Sequence, residues 1–486
     1  MRSLLPSAVA VGVLAATVSV TATVTSASAG RPGDAVHVTS VKVHSGGPDA
    51  TIGFHRGRSG QAFFDATVSA PGVSWAERGN ESAVVSAYVD GHYATDIVIT
   101  SSGPVAREFA LGNLKVGRHT LRLHYAARRS PSNAGVARLQ DIDFKTITST
   151  SPAYAAARFA PVLYGRNVSA LGGGFQNNRT DTPLVAWHEV LPVAGKPRHH
   201  VLEYSVVWSN EDGGTPAPAL MAQWGRTTDI EWIYRVEIDA HGRRVPGTGV
   251  FQSPLHGTTK FKGEYDGTHP LLQTCTANNN VCDKVTLRQQ TPRQAADPMR
   301  FALSTREGLP AGQPREHLMD RHPWTYQVMG REMVREGKVT DTAPDPSIPA
   351  LADQRTYLYL AVNQTPGDAN VGLAVDVVLK ADLTTTYTSD HQQIGTVFSI
   401  HRSGPAATTV KLPPRTTAAD IQSISVRRVT PLIPGGTVSA ASVDVTALDR
   451  VFFLGSSYLP QPSFAHLPVD VTLTTASPTA VIWPAS

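Results

Sequence analysis

Asp229 and Glu231 lie two residues apart at the start of DIEWIYRVEID (229–239), a segment with the composition of a β-strand. Residues two apart in a strand point to the same side, about 7 Å from each other. Strict alternation therefore predicts a polar face that also carries Arg235 and an apolar face that carries Trp232. Two carboxylates placed in this way suit a hard cation such as calcium or magnesium. The same pattern also fits a solvated sheet surface on which Arg235 balances the acids.

Two histidines downstream could complete a cation site. His256 in FQSPLHGT and His269 in YDGTHPLL both lie in turns beside glycines, and imidazole is a common metal ligand. A lone histidine also serves as a structural hydrogen-bonding group, so both roles stay open. The predicted metal ligands are therefore Asp229, Glu231, His256 and His269, with calcium or magnesium as the expected ion.

Carboxylates alone can also hydrolyse glycosidic bonds, and the acids to test first for that role are Glu203, Asp229 and Glu231. The sequence has no Gly-x-Ser-x-Gly elbow, no His-Glu-x-x-His pair, no phosphate-binding loop and no dinucleotide glycine fingerprint. Readings as a serine hydrolase, zinc protease, kinase or dinucleotide-dependent oxidoreductase therefore have no support.

Tryptophans near these acids suggest a sugar as the ligand, because sugars stack on exposed indole rings. The candidates are Trp187, Trp208, Trp224 and Trp232. Alternation along the strands predicts that Trp208 and Trp232 point into the core instead.

The first 29 residues have the pattern of a signal peptide. Arg2 precedes an apolar run at residues 4–20, and Ala27-Ser28-Ala29 offers small residues for cleavage. The alternative is a retained membrane anchor, but the run is short for a span. We expect a secreted protein with no transmembrane segment in the mature chain.

Cys275 and Cys282 are the two cysteines of the chain and lie close together in LLQTCTANNNVCDK. In an exported protein this spacing predicts a local disulfide that closes an asparagine-rich loop. A metal site is disfavoured because two thiols at this spacing have no partner cysteines.

The low charge content and the abundant Gly, Pro, Thr, Ser and Val predict many short strands. The predicted fold class is mostly β, with tandem β-sandwich domains and one short helix in the central domain, at about 323–336. The predicted domains are 35–146, 158–340 and 351–486. The connections are 146–157 and the proline-rich 340–350.

The first module contains AYVDGHYATDIVI (87–99), a hairpin pattern around Asp90-Gly91, followed by LGNLKVGRHTLRLHY (111–125). This order resembles the jelly-roll carbohydrate-binding modules, in which a hairpin precedes a Gly-x-His-Thr-Leu strand. The resemblance covers about a hundred residues. It implies either glycan binding or a supporting role for this module.

The central block gives FAPVLYGR (159–166), NNRTDTPLVAWHEV (177–190), LEYSVVWSNEDGGTP (202–216) and WGRTTDIEWIYRVEID (224–239). This order resembles the β-sandwich of the vacuolar-protein-sorting-associated and necrosis-inducing secreted protein families. Their heptapeptide Gly-His-Arg-His-Asp-Trp-Glu binds a divalent cation. Residues 225–231 keep the glycine, Asp229 and Glu231 but lack both histidines, so the resemblance implies a carboxylate site without nitrogen ligands.

Together these features predict a secreted protein that binds an extracellular polysaccharide or a cell surface through its central domain. A polysaccharide-directed hydrolase or lyase and a membrane-active toxin-like factor are the alternatives. Basic residues are scattered along the chain, so no nucleic-acid partner is expected.

Overall fold

The computed structural model describes residues 37–166, 178–179, 181–211, 214–285, 298–393, 398–430 and 438–484. The predicted signal peptide, 1–29, lies outside the described residues. The chain is mostly β, with several antiparallel sheets, which confirms the predicted fold class of multiple β-sandwich domains. The predicted domain boundaries stay predictions.

The first pair of sheets packs eight strands around one apolar core. One sheet has the order β1-β8-β3-β6 and the other β2-β7-β4-β5. Alternating residues of the strands face inward, as in β7, where Leu121, Leu123 and Tyr125 are buried. The strands are β1 His37–His44, β2 Ala50–Arg56, β3 Gly60–Ser69, β4 Ala83–Val89, β5 His92–Ile99, β6 Val105–Leu114, β7 Gly117–Tyr125 and β8 Val136–Ile147.

The central region combines a six-stranded sheet, β14-β13-β12-β11-β10-β19, with a five-stranded sheet built on β15-β16-β9-β18, in which β17 pairs with β16. Its helices are α1 Tyr154–Phe159, α2 Ala217–Trp224, α3 His317–Arg321 and α4 Trp324–Arg335. Its strands are β9 Val162–Tyr164, β10 Pro183–Pro192, β11 His200–Trp208, β12 Asp229–Ile238, β13 Val250–Ser253, β14 Gly257–Lys260, β15 Tyr265–Asp266, β16 His269–Thr274, β17 Val281–Cys282, β18 Arg300–Ala302 and β19 Gly308–Leu309.

The last pair of sheets has the orders β23-β20-β25-β26 and β22-β21-β24-β27. A second apolar core of alternating Val, Leu and Ile side chains lies between them. The strands are β20 Tyr357–Pro366, β21 Gly372–Leu379, β22 Asp382–Thr388, β23 Gly404–Lys411, β24 Ile421–Val429, β25 Val443–Phe453, β26 Ala465–Leu473 and β27 Thr479–Pro484.

The predicted helix is present as α4, and three short helices were missed. α2 and α3 accompany α4 in the central region, so the prediction of one helix there was too low. α1 lies within the segment 146–157 and just beyond it, where a surface connection was expected. Ala156 and Ala157 are buried in α1 because they pack against neighbouring sheets.

Helix α4 lies in a core shared by all three parts of the chain. Trp75 from the first sandwich, Met329 and Met333 from α4, and Tyr359 and Phe452 from the last sandwich belong to one apolar cluster. Burying such large side chains is the main favourable term in packing these parts together.

The proline-rich segment 340–350 is fixed to the last sandwich. Lys411 of β23 is fully buried and forms an ion pair with Asp341. Its ammonium also donates to the carbonyls of Ile348 and Ala350, at 2.8 and 3.1 Å. All three N–H bonds are used, which removes the cost of burying the charge without partners.

The shared core predicts an unusual response at Gly330 of α4. Alanine normally stabilises a helix by up to about 1 kcal/mol over glycine. A Cβ at this position would overlap the Tyr458 ring of the last sandwich, so we expect Gly330→Ala to destabilise the fold by about 1–3 kcal/mol. Chemical denaturation measures the change. In a Tyr458→Ala background, Gly330→Ala should destabilise the fold much less, because the overlapping ring is absent. A Gly330→Ala variant that is more stable than the parent protein would contradict this packing.

Candidate functional site

A bulge in β12 decides which way its acids point. β11 pairs Tyr204 with Tyr234 and then Ser205 with Trp232, so Ile233 is an extra residue. The bulge changes which side chains face each side of the sheet. The predicted strict alternation of side chains was therefore wrong across this strand.

The consequence is that Asp229 and Glu231 lie on the same face as Tyr234, because their partners on β11 are Trp208 and Val206. That face is covered by the five-stranded sheet and its apolar core. The expected grouping of Asp229 with Arg235 is wrong. Arg235 lies on the opposite face, with its guanidinium 3.8 Å from the centre of the Trp232 ring.

Asp229 is almost fully buried, with 3% of its surface exposed. Asn279 donates a hydrogen bond from Nδ2 to its Oδ2 at 2.9 Å and another to the carbonyl of Asn210 at 3.2 Å. Burial raises the pKa of Asp229 well above its usual range, and the charges of Glu231 and Glu211 act in the same direction.

Glu231 lies beside Asp229 and has a less buried carboxylate. His256 Nδ1 is 3.5 Å from its Oε1. Burial raises the pKa of Glu231, while a hydrogen bond with Gln252 and the nearby His256 oppose the rise. The turn holds Leu255 and His256 at φ of 62° and 58°, a left-handed conformation that these side chains rarely adopt.

Both acids line a cleft of about 640 Å³ between the six-stranded sheet, α2, the segment before α3 and the last sandwich. β13 pairs with β12 only at Tyr234 and Arg235. Within the described residues, the first half of β12 therefore has one edge open to the cleft.

The cleft is also lined by an aromatic ring and basic groups. The guanidinium of Arg402 lies 3.9 Å from the centre of the half-buried Trp224 ring, and that of Arg226 lies 5.5 Å from it. Both arginines approach the buried Glu316, at 3.4 and 3.8 Å. Burial opposes ionisation of Glu316, but Arg402 and Arg226 outweigh it and lower its pKa.

Glu203, a predicted candidate for hydrolysis, is neutralised on the other face of the sheet. It pairs with Arg235 and Arg315. Arg315 also lies 3.4 Å from Glu189, which lines the cleft. Burial raises the pKa of Glu189, although Arg315 opposes the rise.

The structure brings together three of the four predicted metal ligands, Asp229, Glu231 and His256, and not the fourth. His269 starts β16 in the other sheet, where its Nδ1 contacts the carbonyl of Ala160 at 2.8 Å. Across the described residues, no group of three His, Cys, Asp or Glu side chains could hold a metal ion. The calcium or magnesium site stays a prediction.

Of the four candidate tryptophans, only Trp224 lines the cleft, and its side chain is half-buried. Trp187 is fully buried, so its suggested stacking role was wrong. Trp208 is buried in the core as predicted, and Trp232 is buried beneath Arg235.

The disulfide Cys275–Cys282 is formed. It closes the asparagine-rich loop that carries Asn279 to Asp229. Arg166 holds the same loop by donating from Nη2 to the carbonyl of Ala277 at 2.9 Å.

Helix α2, which ends in Trp224, is the main functional element that the sequence analysis missed. Pro216 precedes it and Gly225 ends it with φ of 63°, while the Gly225 N–H donates to the carbonyl of Met221. A proline before and a glycine after a short segment are a recognised helix signal, and they could have revealed it. A Cβ at position 225 would lie only 3.2 Å from the backbone of Thr408. Glycine at this position therefore allows the last sandwich to approach closely.

No protein-family model and no curated protein matches the chain. The chain is similar to several solved structures at low identity. The C-terminal domain of EclA, a sugar-binding protein, is 11% identical, and the match covers 22% of this chain and 76% of that chain with a TM-score of 0.17. The CBM36-1 domain of a multidomain xylanase from the hindgut metagenome of Trinervitermes trinervoides is 15% identical, with coverages of 21% and 73% and a TM-score of 0.16.

A family 35 carbohydrate binding module from an environmental isolate is 8% identical, with coverages of 21% and 72% and a TM-score of 0.14. These neighbours are carbohydrate-binding modules or sugar-binding domains, the class that the first module resembles in sequence. TM-scores this low carry no argument about the function of this chain. The likeness of the central region to the vacuolar-protein-sorting-associated and necrosis-inducing families stays a prediction.

Within the described residues, none of the helices has the length and apolar character needed to cross a membrane. The toxin-like alternative stays a prediction.

The burial of Asp229 predicts a specific pH dependence of stability. Its pKa is higher in the folded chain than in the unfolded chain, so the folded state loses stability as pH rises through the folded pKa. Asp229→Asn keeps an acceptor for Asn279 and cannot ionise. We expect the melting temperature of Asp229→Asn, relative to the parent protein, to rise as the pH increases from about 4, where an unfolded aspartate ionises.

Asp239, just after β12, is the matched control. Exposed and hydrogen-bonded to Arg243, it has a pKa of about 2. Asp239→Asn should therefore change the melting temperature by a constant amount over the same range. If the melting-temperature difference between Asp229→Asn and the parent protein does not change with pH, the pKa of Asp229 is not raised.

Proposed function

We propose that the protein is a secreted carbohydrate-binding protein and that the sugar binds in the central cleft. The observation that carries the proposal is the position of the half-buried Trp224 ring in one cleft with the carboxyl groups of Asp229 and Glu231. An indole face and several fixed hydrogen-bonding groups are what a sugar ring and its hydroxyls require.

The size of the cleft supports this proposal. A volume of about 640 Å³ lies within the range of roughly 300–1,000 Å³ that small-ligand sites occupy. The cleft also draws residues from separate parts of the chain, with Arg402 to Pro405 contributed by the last sandwich at the start of β23. Sites at such junctions are common because packed layers leave concave surfaces where they meet.

Secretion is supported by the disulfide. Cys275 and Cys282 form a bond that is typical of oxidising compartments. It agrees with the signal-peptide pattern of the first 29 residues, and a secreted protein would meet extracellular polysaccharides or cell-surface glycans as ligands.

The proposal predicts that Trp224 and Glu231 are needed for sugar binding. A panel of soluble oligosaccharides screened by calorimetry should contain at least one ligand. Trp224→Ala should weaken its binding at least about 10-fold, equivalent to 1.4 kcal/mol, because the stacking face is lost. Glu231→Gln should also weaken it, because a charged acceptor is lost.

Glu237→Gln is the control for this experiment. Glu237 is on the same strand but pairs with Lys196 and His199 outside the cleft. Its substitution should leave the affinity unchanged. If Trp224→Ala and Glu231→Gln bind every ligand as the parent protein does, the central cleft is not the sugar site.

Hydrolysis is the second candidate function, and one observation favours it. Burial raises the pKa of Asp229, and a carboxyl group that keeps its proton to higher pH is suited to the role of general acid. The less buried Glu231 would then be the ionised partner.

This second function predicts the slow release of reducing ends from a bound polysaccharide. Asp229→Asn should lower that release by at least about 100-fold, the usual contribution of a general acid, while sugar binding is kept. Colorimetric measurement of reducing ends over a long incubation tests it. Binding without any release by the parent protein would leave the protein as a binding module only.

A further inference from the structure

The three arginines that line the cleft are already engaged. Arg402 and Arg226 both approach Glu316. Arg402 also donates to the carbonyls of Gln223 and Ala407.

Arg315 is committed in the same way, to Glu203 and Glu189. The basic groups of the cleft therefore balance Glu316 and the acids on the far side of the sheet. None of them forms an ion pair with the acids on the near side, although the charge of Arg226 lowers the pKa of both Asp229 and Glu231.

Three acids remain along one wall of the cleft. Glu211, Asp229 and Glu231 all line it, and the charge of Glu211 raises the pKa of both neighbours. Among the described residues, no lysine or arginine forms an ion pair with any of the three. Glu211 accepts from the Thr215 N–H at 2.6 Å, which is a neutral donor.

The partners of Asp229 and Glu231 are also neutral amides, apart from His256. Asn279 donates to Asp229, and His256 is 3.5 Å from Glu231 with about half of its side chain exposed. Neutral donors satisfy carboxylate oxygens only in part, and the wall keeps an excess of negative charge whenever its acids ionise.

Gln252 gives an independent sign of a missing donor. Its side chain lies against this wall, with Nε2 2.9 Å from Nδ1 of His256. Gln252 is 96% buried, with 4% of its surface exposed, and its Oε1 has no hydrogen-bond partner. A buried acceptor without a donor is costly, and a ligand that brings N–H groups to the wall would remove that cost.

We propose that this wall recognises the ammonium group of an amino sugar, so that the ligand class is a polysaccharide with free, unacetylated amines. This inference rests on the proposed carbohydrate binding in the same cleft. An ammonium carries three donors and one positive charge, which matches three carboxyl groups and an unpaired amide oxygen. A neutral sugar supplies hydroxyl donors but leaves the charge of the wall uncompensated.

An ammonium fits this wall better than a metal ion does. A calcium or magnesium ion requires several oxygen ligands converging at about 2.0–2.6 Å, and the described residues contain no such group. Hydrogen bonds to an ammonium are longer and tolerate wider spacing. Binding of a cation also favours the ionised acids, and so it releases protons that burial had retained.

The test compares two hexasaccharides of equal length, one of glucosamine and one of N-acetylglucosamine, by calorimetry with the full chain at moderate ionic strength. We expect the glucosamine hexamer to bind at least about 10-fold more tightly. Glu231→Gln, which keeps the shape and removes the charge, should abolish that preference. Glu237→Gln, outside the cleft on the same strand, should retain it.

Each other outcome has a defined meaning. Equal affinities, both reduced by Trp224→Ala, would overturn the amino-sugar inference and leave carbohydrate binding intact. A preference that Glu237→Gln lowers as much as Glu231→Gln does would also overturn it, because the attraction would then come from the overall surface charge. Failure of both hexamers and of every neutral oligosaccharide would overturn the proposed function as well.

The variants must be folded for the comparison to hold. Their melting temperatures should lie close to that of the parent protein. If Glu231→Gln fails to fold, Glu211→Gln provides the same test, because Glu211 belongs to the same wall and is hydrogen-bonded only within its own turn among the described contacts. A full preference in a folded Glu211→Gln variant would overturn the inference.

Discussion

The single extra residue in β12 is the constraint on which the site depends. A register shift at Ile233 turns the first half of the strand so that Asp229 and Glu231 face the covered side of the sheet. Without that shift, both carboxylates would share a face with Arg235, which could neutralise them. The bulge therefore converts an ordinary polar strand end into a buried acidic wall. Bulges often occur where a side chain must be re-aimed at a functional site.

Burying acids in this way destabilises the fold, and other parts of the structure reduce that destabilisation. Asn279 and Gln252 provide hydrogen bonds, and retained protons remove part of the charge. The α4 core, which joins Trp75 of the first sandwich to Phe452 of the last, fixes the layers around the cleft. Because all three parts meet there, the walls of the cleft cannot separate without exposing large apolar side chains.

The sequence was sufficient for the elements with strong local signals. Composition predicted the β fold, Pro323 and Gly337 bracketed α4, and the spacing of the two cysteines predicted their bond. Asp229 and Glu231 were also recognised as a pair. Their surroundings were not predictable from the sequence, because a bulge leaves no mark in the local residue pattern. The prediction had to assume that side chains alternate regularly along the strand.

Long-range contacts account for the other differences. Arg402 lies 178 residues after Trp224 in the chain and meets it only because α2 packs on β23, with Thr409 donating to the carbonyl of Met221 at 2.9 Å. His269 illustrates the converse. It belongs to the same central region as Asp229, yet parallel pairing of β16 with β9 carries it to another sheet. Local spacing cannot indicate either outcome.

The asparagine-rich loop connects the oxidation state of the chain with the charge of its cleft. Asn279 reaches Asp229 from within the ring closed by Cys275 and Cys282. Reduction would lengthen the tether on this amide and lower the fraction of time it spends against the carboxylate. A carboxylate without that donor holds its proton more strongly. Formation of the disulfide therefore favours the ionised form of Asp229.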